Sequence, residues 1–254
     1  MKQRLDHLVF ELGLVQSRSQ AESWIKLGKV LVDGKPVTKP GAAVSDTAAI
    51  ILNASEQYVS RAGLKLASVA DVLHLQFKGV TMLDVGSSTG GFTDYALQHG
   101  AQKVYAVELG TNQLHPKLHG DPRIELHEQT DILSVYLQTD PHVIKNAVTI
   151  TVPDIIVIDV SFISLREILP HIVDLCGPQT VVAAMVKPQF EARESNLKHK
   201  GVIKNDRIRR DILKDFEMWV APYFVILDKA DSDVAGTKGN RERFYKLRAV
   251  RSVN

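Results

Sequence analysis

The chain has 254 residues, of which 44% are hydrophobic and 24% are charged, a balance typical of a globular protein with one or two domains. Its single cysteine, Cys176, excludes an internal disulfide and favours a reducing compartment. The formal net charge is only +2, so the total charge does not by itself indicate a nucleic-acid partner.

The beginning of the chain argues against export. Its first residues, MKQRLDHLVFELGL, are interrupted by charges and lack the apolar core of a signal peptide. The apolar runs IIVIDV and VVAAMV are far shorter than the roughly 20 residues of a membrane span. We therefore expect a cytoplasmic protein without a membrane-spanning segment.

Residues 1–60 are predicted to form a small α+β domain. The first helix ends at Gly13, and Ser17 is expected to cap a second helix that ends at Gly28. Short apolar pieces on both sides of a turn at Asp33-Gly34 then predict a β-ribbon. The apolar residues at helical spacing are Leu5, Leu8, Val9 and Leu12 in the first helix, and Ala21, Trp24 and Ile25 in the second.

The string RLDHLVFELGLVQSRSQAESWIKLGKVLVDGKPVTKPG resembles the ribosomal-protein S-four-like RNA-binding domain. The resemblance is carried by Arg4-Leu5-Asp6, the helix start at Ser17-Arg18, the ribbon Gly28-x-Val30-x-Val32-x-Gly34 and Lys39-Pro40. In that family the second helix and the adjoining hairpin present cations to structured RNA. A small protein-docking domain is the alternative. The candidate RNA-facing residues are Arg4, Arg18, Lys26, Lys29, Lys35 and, at the domain junction, Arg61.

Residues 61–254 are predicted to form an α/β domain. Strand-like pieces such as VTMLDVG, KVYAVELG, IIVIDVSF and VVAAMVK alternate with helical pieces such as FTDYALQHG, SLREILPHIVDLC and IRRDILKDFEMWV. This alternation predicts a doubly wound, mainly parallel sheet. No helix separates the last two strands, YFVILDK and FYKLRAV, which predicts an antiparallel last strand, as in Rossmann-like methyltransferases.

The segment VTMLDVGSSTGGFTDYAL predicts a cofactor site. An apolar strand ends at Asp84-x-Gly86, and Gly90 and Gly91 open the next helix, so the backbone can approach a ligand closely. The dinucleotide fingerprint G-x-G-x-x-G is absent, and a carboxylate beside a pyrophosphate would be unfavourable. Because Asp84 suits an amino group and a sulfonium cation, we favour S-adenosylmethionine over a dinucleotide.

The rest of the expected cofactor site lies at the ends of later strands. Glu108 ends the next strand, where an acid can bind both ribose hydroxyls. Asp131 is expected to contact adenine, although a helix cap is an equal alternative. The complete candidate set is Asp84, Gly86, Ser87, Ser88, Gly90, Gly91, Phe92, Glu108 and Asp131.

Four charged residues form the candidate catalytic set. Asp159 and Lys187 each end an apolar strand, at the edge of the sheet where such folds bind ligands. Lys65 lies in SRAGLKL, and Glu242 lies in GNRERF, just before the last strand. This Lys–Asp–Lys–Glu set resembles the tetrad of the FtsJ-like ribose 2′-O-methyltransferases.

With the N-terminal domain included, the resemblance extends over essentially the whole chain. SRAGLKL, LDVGSSTGGFTD, IDVSFISL, VKPQFE and GNRERF resemble the TlyA family of hemolysin A-like rRNA methyltransferases. Membership would imply methyl transfer from S-adenosylmethionine to the ribose 2′-hydroxyl of a cytidine in ribosomal RNA or ribosomal subunits. Two features depart from the family. Glu108 stands where an aspartate is common, and residues 192–204 contain fewer glycines than expected.

The chemistry accounts for the residue types. A ribose hydroxyl must lose its proton as it attacks the sulfonium methyl group, and a lysine in water keeps its own proton at neutral pH. Burial and a neighbouring cation favour the neutral amine, so we assign Lys187 as the general base and Lys65 as that cation. Asp159 and Glu242 would position the lysines. The alternative is two independent ion pairs that only close the sheet edge.

Other functions remain open at this stage. Cationic clusters at 193–214 and 238–251 suit an RNA backbone, although they also suit a solvated surface. A membrane-lytic protein and a catalytically silent ribosome-assembly factor are the alternatives to the enzyme. No Cys or His spacing indicates a metal site, and the sequence leaves the oligomeric state open.

Overall fold

The computed structural model describes residues 2–15, 18–26, 28–53, 58–145, 147–192, 201–236 and 239–250. Within them lie a small N-terminal unit of helices and short strands and a larger unit built on a seven-stranded sheet. The predicted cap Ser17 lies outside the described residues.

The N-terminal unit packs two helices beside two small sheets. Strand β1 pairs antiparallel with β4, and a second antiparallel sheet has the order β3-β2-β5. The predicted ribbon is therefore confirmed, whereas the β1–β4 pair was not predicted from the sequence. The elements are β1 (Lys2–Arg4), α1 (Leu5–Glu11), α2 (Arg18–Lys26), β2 (Val30–Val32), β3 (Lys35–Pro36), β4 (Ala43–Ser45) and β5 (Ile50–Leu52).

The helix faces of this unit follow the predicted apolar spacing with one exception. Leu12, expected on the apolar face of α1, is exposed because the helix ends at Glu11, and Gly13 takes a left-handed φ of 68° that turns the chain away. The other predicted helix positions are buried, namely Leu5, Leu8, Val9, Ala21, Trp24 and Ile25.

The larger unit is a Rossmann-like sheet with helices against its faces. Its strand order is β13-β14-β12-β11-β6-β7-β8, and β14 runs antiparallel to both of its neighbours. The elements are α3 (Arg61–Ala70), β6 (Thr81–Val85), α4 (Gly91–Gln98), β7 (Lys103–Val107), β8 (Ile124–His127), β9 (Val135–Leu137), β10 (Val148–Ile150), β11 (Ile155–Ile158), α5 (Leu169–Asp174), β12 (Val181–Val186), α6 (Pro188–Glu191), α7 (Asp206–Val220), β13 (Phe224–Asp231) and β14 (Arg243–Ala249).

The order of the strands locates the functional edge. From β6 the chain adds β7 and β8 on one side, and it later returns to add β11 and β12 on the other side. Ligands bind at such a reversal point, outside the carboxyl ends of the strands. All four residues of β11 are buried, as expected for a central strand covered on both faces.

One predicted helix is divided in two. SLREILPHIVDLC forms a short 3₁₀ turn, Leu165–Glu167, followed by α5. Ser164 and Glu167 form a capping box at the start of the turn, and Pro170, which has no N–H to donate, occupies the first turn of α5. None of the helices in the described ranges has the length and apolar character needed to cross a bilayer.

The junction between the two units is closely packed. The Tyr58 ring lies between the rings of Trp24, with centroids 6.3 Å apart, and Tyr95, with centroids 5.4 Å apart. Gly63 of α3 approaches the carbonyl of Gly91, the first residue of α4. This approach holds α3 against the helix that opens at the glycine-rich loop.

We predict that Gly63→Ala destabilises the protein. The added methyl carbon would lie 2.5 Å from Cβ of Tyr58 and 2.9 Å from the carbonyl oxygen of Gly91, so the helices must separate. Overpacking of this kind costs about 1 to 3 kcal/mol and outweighs the gain in helix propensity. Denaturant unfolding measures the loss, with the exposed Val72→Ala as control. A Gly63→Ala protein as stable as the wild type would contradict the prediction.

Candidate active site

Charged residues from several strands meet at the carboxyl edge of the sheet. Asp159 directly follows β11, and Lys187 directly follows β12. Glu242 directly precedes β14, which runs antiparallel, so the beginning of that strand lies at this same edge. Lys65 comes from α3, which approaches the edge from the side. The structure therefore brings all four residues of the predicted catalytic set to one cavity of about 380 Å³.

The four side chains form two ion pairs. Lys187 Nζ lies 2.5 Å from an oxygen of Asp159 and also donates to Ser161 Oγ at 2.6 Å. Lys65 Nζ lies 2.6 Å from an oxygen of Glu242. The Lys187 side chain is only 7% exposed and that of Glu242 only 3%. Charges buried this deeply are tolerated only when paired, so each carboxylate fixes the position of its lysine.

Two residues beside the Lys187–Asp159 pair, Ser161 and Glu191, were not predicted from the sequence. Glu191 is buried and accepts hydrogen bonds from the Ser164 hydroxyl at 2.6 Å and from the Leu165 N–H at 2.7 Å. Burial raises the pKa of Glu191 despite these bonds. The carboxyl thereby ties the segment after Lys187 to the segment after Asp159.

Asn240 supports the opposite side of the cavity. It is buried, accepts a hydrogen bond from the Ile203 N–H at 2.9 Å and donates to the Gly201 carbonyl at 2.7 Å. Gly201 and Asn240 both line the cavity. The segment that precedes α7 is thus fixed beside Glu242.

The glycine-rich loop approaches the strand tips closely. Gly86 has a φ of 80°, and a Cβ there would lie 3.1 Å from the carbonyl oxygen of Asp159. Gly90 has a φ of 85°, and its Cβ would meet the Leu118 side chain at 2.5 Å. Gly91 and Phe92 are buried at the start of α4. Side chains at either left-handed glycine would fill the crevice or strain the backbone.

Asp84 is the unusual charge in this crevice. The hydroxyl of Thr93 donates to one carboxylate oxygen at 2.6 Å, while the other oxygen, Oδ1, is buried with no hydrogen-bond partner among the described residues. Burial raises the pKa of Asp84 to about 7, with the charge of Asp159 adding to the effect and the Thr93 bond opposing it. Ser87 Oγ, also at the cavity, is likewise buried without a partner in the described part of the chain. These groups fit a ligand that carries a cationic amino group.

Glu108 directly follows β7, and its carboxylate fixes two loops. One oxygen accepts the Ser88 N–H at 2.9 Å and the other accepts the Gly110 N–H at 2.7 Å. Each carboxylate oxygen can accept more than one hydrogen bond, so both can still receive ribose hydroxyls. Glu108 lines a second cavity of about 690 Å³, which shares Gly86 and Asp159 with the first.

Asp131 caps a turn, as one of the two alternatives held, and its expected contact with adenine stays a prediction. Its side chain accepts the Leu133 N–H at 3.0 Å and caps a 3₁₀ turn, and it also lines the second cavity. The residues that the two cavities share make them neighbours in one continuous crevice. They are Gly86, Ser88, Asp159, Ser161 and Phe162.

Comparison with known proteins agrees with this architecture. Residues 58–249 match the FtsJ-like methyltransferase family. The chain belongs to the FtsJ-like methyltransferase family. Residues 3–50 of this FtsJ-like protein match the S4 domain, which is the domain that the N-terminal motifs predicted.

Individual relatives span nearly the whole chain. The 16S/23S rRNA (cytidine-2′-O)-methyltransferase TlyA of Mycobacterium tuberculosis is 34% identical, over 96% of this chain and 89% of its own. Hemolysin A of Brachyspira hyodysenteriae is 36% identical, over 94% of this chain and 97% of its own. A solved structure of a candidate hemolysin from Streptococcus thermophilus is 35% identical and covers 99% of this chain and 90% of its own, with a TM-score of 0.69.

The predicted RNA-facing residues separate into two groups. Five of them lie on the surface of the S4 domain and are exposed, namely Arg4, Arg18, Lys26, Lys29 and Lys35. Arg61 instead points into the FtsJ-like unit, where it donates to the Ala235 carbonyl at 2.6 Å. Its expected role with RNA stays a prediction, and the contact gives it a second role in holding α3 beside the 232–236 segment.

No cluster of three or more His, Cys, Asp or Glu side chains suitable for a metal ion occurs within the described ranges.

We predict that Asp84→Asn stabilises the ligand-free protein increasingly as pH rises. A raised folded-state pKa means that the folded protein loses stability as pH increases from about 4 through 7, because the unfolded state releases the proton more readily. The advantage of Asp84→Asn over the wild type should grow by about 2 to 3 kcal/mol between pH 5 and pH 8.

Thermal unfolding across this pH range measures the difference. Asp121→Asn is the matched control, because hydrogen bonds from Arg123 lower the pKa of Asp121 and predict a stability loss instead. A pH-independent difference between Asp84→Asn and the wild type would contradict the assignment.

Proposed function

We propose that this FtsJ-like methyltransferase transfers a methyl group from S-adenosylmethionine to the ribose 2′-hydroxyl of a cytidine in ribosomal RNA. The observation that carries the proposal is the adjacency of two features. The Lys–carboxylate pairs face one cavity, and the glycine-rich crevice, where one oxygen of Asp84 has no partner among the described residues, opens into it.

The binding groups support S-adenosylmethionine as the cofactor. The free oxygen of Asp84 suits the amino group of its methionine part, which is a cation in need of a buried acceptor. Glu108 suits its ribose hydroxyls. When bound, S-adenosylmethionine supplies a methyl group on a positively charged sulfur.

The catalytic residues act on the incoming hydroxyl. Lys187 Nζ already makes a hydrogen bond to a hydroxyl oxygen, that of Ser161, and a ribose hydroxyl could take the same place. In its neutral form Lys187 would accept the proton of the ribose hydroxyl as that oxygen bonds to the methyl group that the cofactor supplies, and the electron pair of the broken carbon–sulfur bond would stay on sulfur. Asp159 orients Lys187 and then stabilises the ammonium that results.

Lys65 complements this base. Its ammonium is held by Glu242 at the same cavity, where a cation attracts the charge that develops on the attacking oxygen. Positioning by buried ion pairs keeps both nitrogens in place before the substrate arrives, which lowers the entropic cost of reaction.

The proposal that ribosomal RNA is the substrate rests on the S4 domain and on a relative rather than on the catalytic residues. The S4 domain places exposed arginines and lysines beside the catalytic unit, as phosphate binding requires. The Mycobacterium tuberculosis relative acts, by its name, on cytidine 2′-hydroxyls of 16S and 23S rRNA. We extend that substrate to this chain as part of the proposal.

The direct test uses labelled S-adenosylmethionine. The protein is incubated with separated ribosomal subunits, and the RNA is then digested with nuclease and mapped by mass. We expect label on the ribose of one or a few cytidines. Label on a base would overturn the mechanism, and tight RNA binding without any label would favour the silent assembly factor.

We predict that Lys187→Ala abolishes transfer while leaving the affinity for S-adenosylmethionine within about twofold. Loss of a general base costs roughly 10²- to 10⁴-fold in rate. Lys229→Ala is the matched control, because Lys229 also pairs with a carboxylate, Glu217, but lies on the surface. Single-turnover transfer and equilibrium binding separate the two effects. Near-wild-type turnover in Lys187→Ala would refute the assignment.

We further predict that the affinity for S-adenosylmethionine rises as pH increases through about 7. The ionised Asp84 carboxylate is the form that binds a cation, and its raised pKa places that ionisation in the neutral range. Binding titrations from pH 5.5 to 8.5 should show this rise, and Asp84→Asn should remove it together with most of the affinity. A flat profile in the wild type would count against the contact.

The hemolysin names of two relatives define a separate control. Pure protein added to dye-loaded lipid vesicles should release no dye at concentrations that methylate RNA. Release comparable to that of a pore-forming peptide would support the membrane-lytic alternative.

A further inference from the structure

A buried carboxylate in the S4 domain lies outside the catalytic machinery. Asp6 is in α1 and has no exposed surface, which is unusual for an aspartate. Its N–H donates to the Pro40 carbonyl at 3.0 Å, so the backbone around it is fixed by the 40–42 segment. A buried carboxylate is costly unless a cation pairs with it.

The partners of Asp6 are two arginines. Arg4 donates from Nε and Nη2, both at 3.0 Å, to the two oxygens of the carboxylate. Arg18, at the start of α2, donates from Nη2 at 2.9 Å to the oxygen that Arg4 Nη2 also contacts. Burial alone would raise the pKa of Asp6, but these hydrogen bonds overcome it and lower the pKa to about 2. Asp6 is therefore an anion at any physiological pH.

The two arginines face solvent even though their anchor does not. The Arg4 side chain is 58% exposed and that of Arg18 is 48% exposed. Here one anion holds two half-exposed cations, so the surface carries a net positive charge at a fixed point.

The oxygen of Asp6 that both arginines contact also sets the distance between their guanidinium groups. Because Arg4 and Arg18 both contact the same oxygen of Asp6, their two guanidinium groups lie side by side despite their mutual repulsion. Two adjacent planar guanidiniums match the oxygens of one phosphate. Free arginines would lose rotamer freedom on binding, and that loss has already occurred here.

We propose that Asp6 is a positioning residue that holds Arg4 and Arg18 as a preformed clamp for one backbone phosphate of structured RNA. This proposal rests on the proposed rRNA function and adds the residue and the geometry by which the S4 domain would grip its substrate. Asp6 itself, fully buried and anionic, does not touch the RNA.

The decisive variant is Asp6→Asn, because charge and geometry predict opposite results. The substitution removes a negative charge from the RNA-facing side, which on electrostatic grounds alone would tighten RNA binding. If Asp6 positions the arginines, binding should weaken instead, by about tenfold. Filter binding to 16S and 23S rRNA transcripts at fixed salt measures the change.

The chain offers a matched control. Asp121 is also bonded by the Nε and Nη2 of an arginine two positions along, Arg123, but lies just before β8 in the catalytic unit. Asp121→Asn changes the net charge equally and should leave binding unchanged or slightly tighter. Equal weakening by Asp121→Asn and Asp6→Asn would overturn the clamp.

A mutant cycle tests whether Asp6 acts through the arginines. In an Arg4→Gln/Arg18→Gln background, Asp6→Asn should cause no further weakening, since nothing remains to be positioned. A further loss of equal size would overturn the proposal. Arg18→Gln alone should lower the slope of log affinity against log salt by about one.

Folding and function are separated by independent readouts. Trp24 is buried in the same domain, so unchanged Trp emission in a Trp219→Phe background shows that an Asp6 variant is folded there. If Asp6→Asn does not fold, the double variant Arg4→Lys/Arg18→Lys replaces it as the test. This variant keeps both positive charges but loses the planar guanidinium groups. Wild-type affinity for RNA in this variant would overturn the clamp.

The readout is RNA binding rather than methyl transfer. A wild type that binds rRNA without methylating it would end the proposed function and leave the clamp testable. A wild type that methylates rRNA while Asp6→Asn binds as tightly as it does would end the clamp alone.

Discussion

Burial of charge at one edge of the sheet is the constraint on which the site depends. Lys187 and Glu242 lie almost wholly inside the protein, where an unpaired charge would cost several kcal/mol. Each is therefore matched by an opposite charge from another element. The reversed direction of β14 is what makes the second pair possible, because a parallel strand would begin at the opposite edge and carry Glu242 away from Lys65.

Asp84 is also a buried acid at this edge, but its carboxylate is only partly paired. Its neighbours in the crevice include two further acids, Asp159 and Glu108, and its Oδ1 oxygen has no hydrogen-bond partner among the described residues. Burial raises the pKa of Asp84, and the charges of these two acids add to the effect. A cationic ligand would complete the set, so the free energy lost by folding around this carboxyl becomes binding energy for such a ligand.

The sequence was informative where function depends on local features. Asp84, Asp159 and Lys187 could be placed because an apolar run that stops at a charge marks the end of a strand, and strand ends of a parallel sheet share an edge. Ser161 and Glu191 could not be placed, because their roles depend on contacts between loops that follow different strands. No periodicity in the sequence encodes such a contact.

The features of the fold that were not predicted also lack a local signal in the sequence. The β1–β4 pair joins segments that are each three residues long, too short for an alternation of polar and apolar residues to show. The apolar spacing of SLREILPHIVDLC continues across the break before α5, so the spacing does not reveal it, whereas Pro170 is compatible with the first turn of a helix and not with its interior. Leu12 matched the helical period but fell after the last turn of α1.

Exposure of the cation distinguishes the roles of the carboxylate–cation groups in this protein. Where the cation is buried and faces a cavity, as for Lys187, the pair can act only on a group that enters the cavity. Where it is buried among helices and strands, as for Arg209 with Asp231, it fastens α7 to the sheet. Among the residues that the structure describes, only around Asp6 does a fully buried anion hold cations that remain half in solvent, and that arrangement suits a large anionic partner that binds from outside.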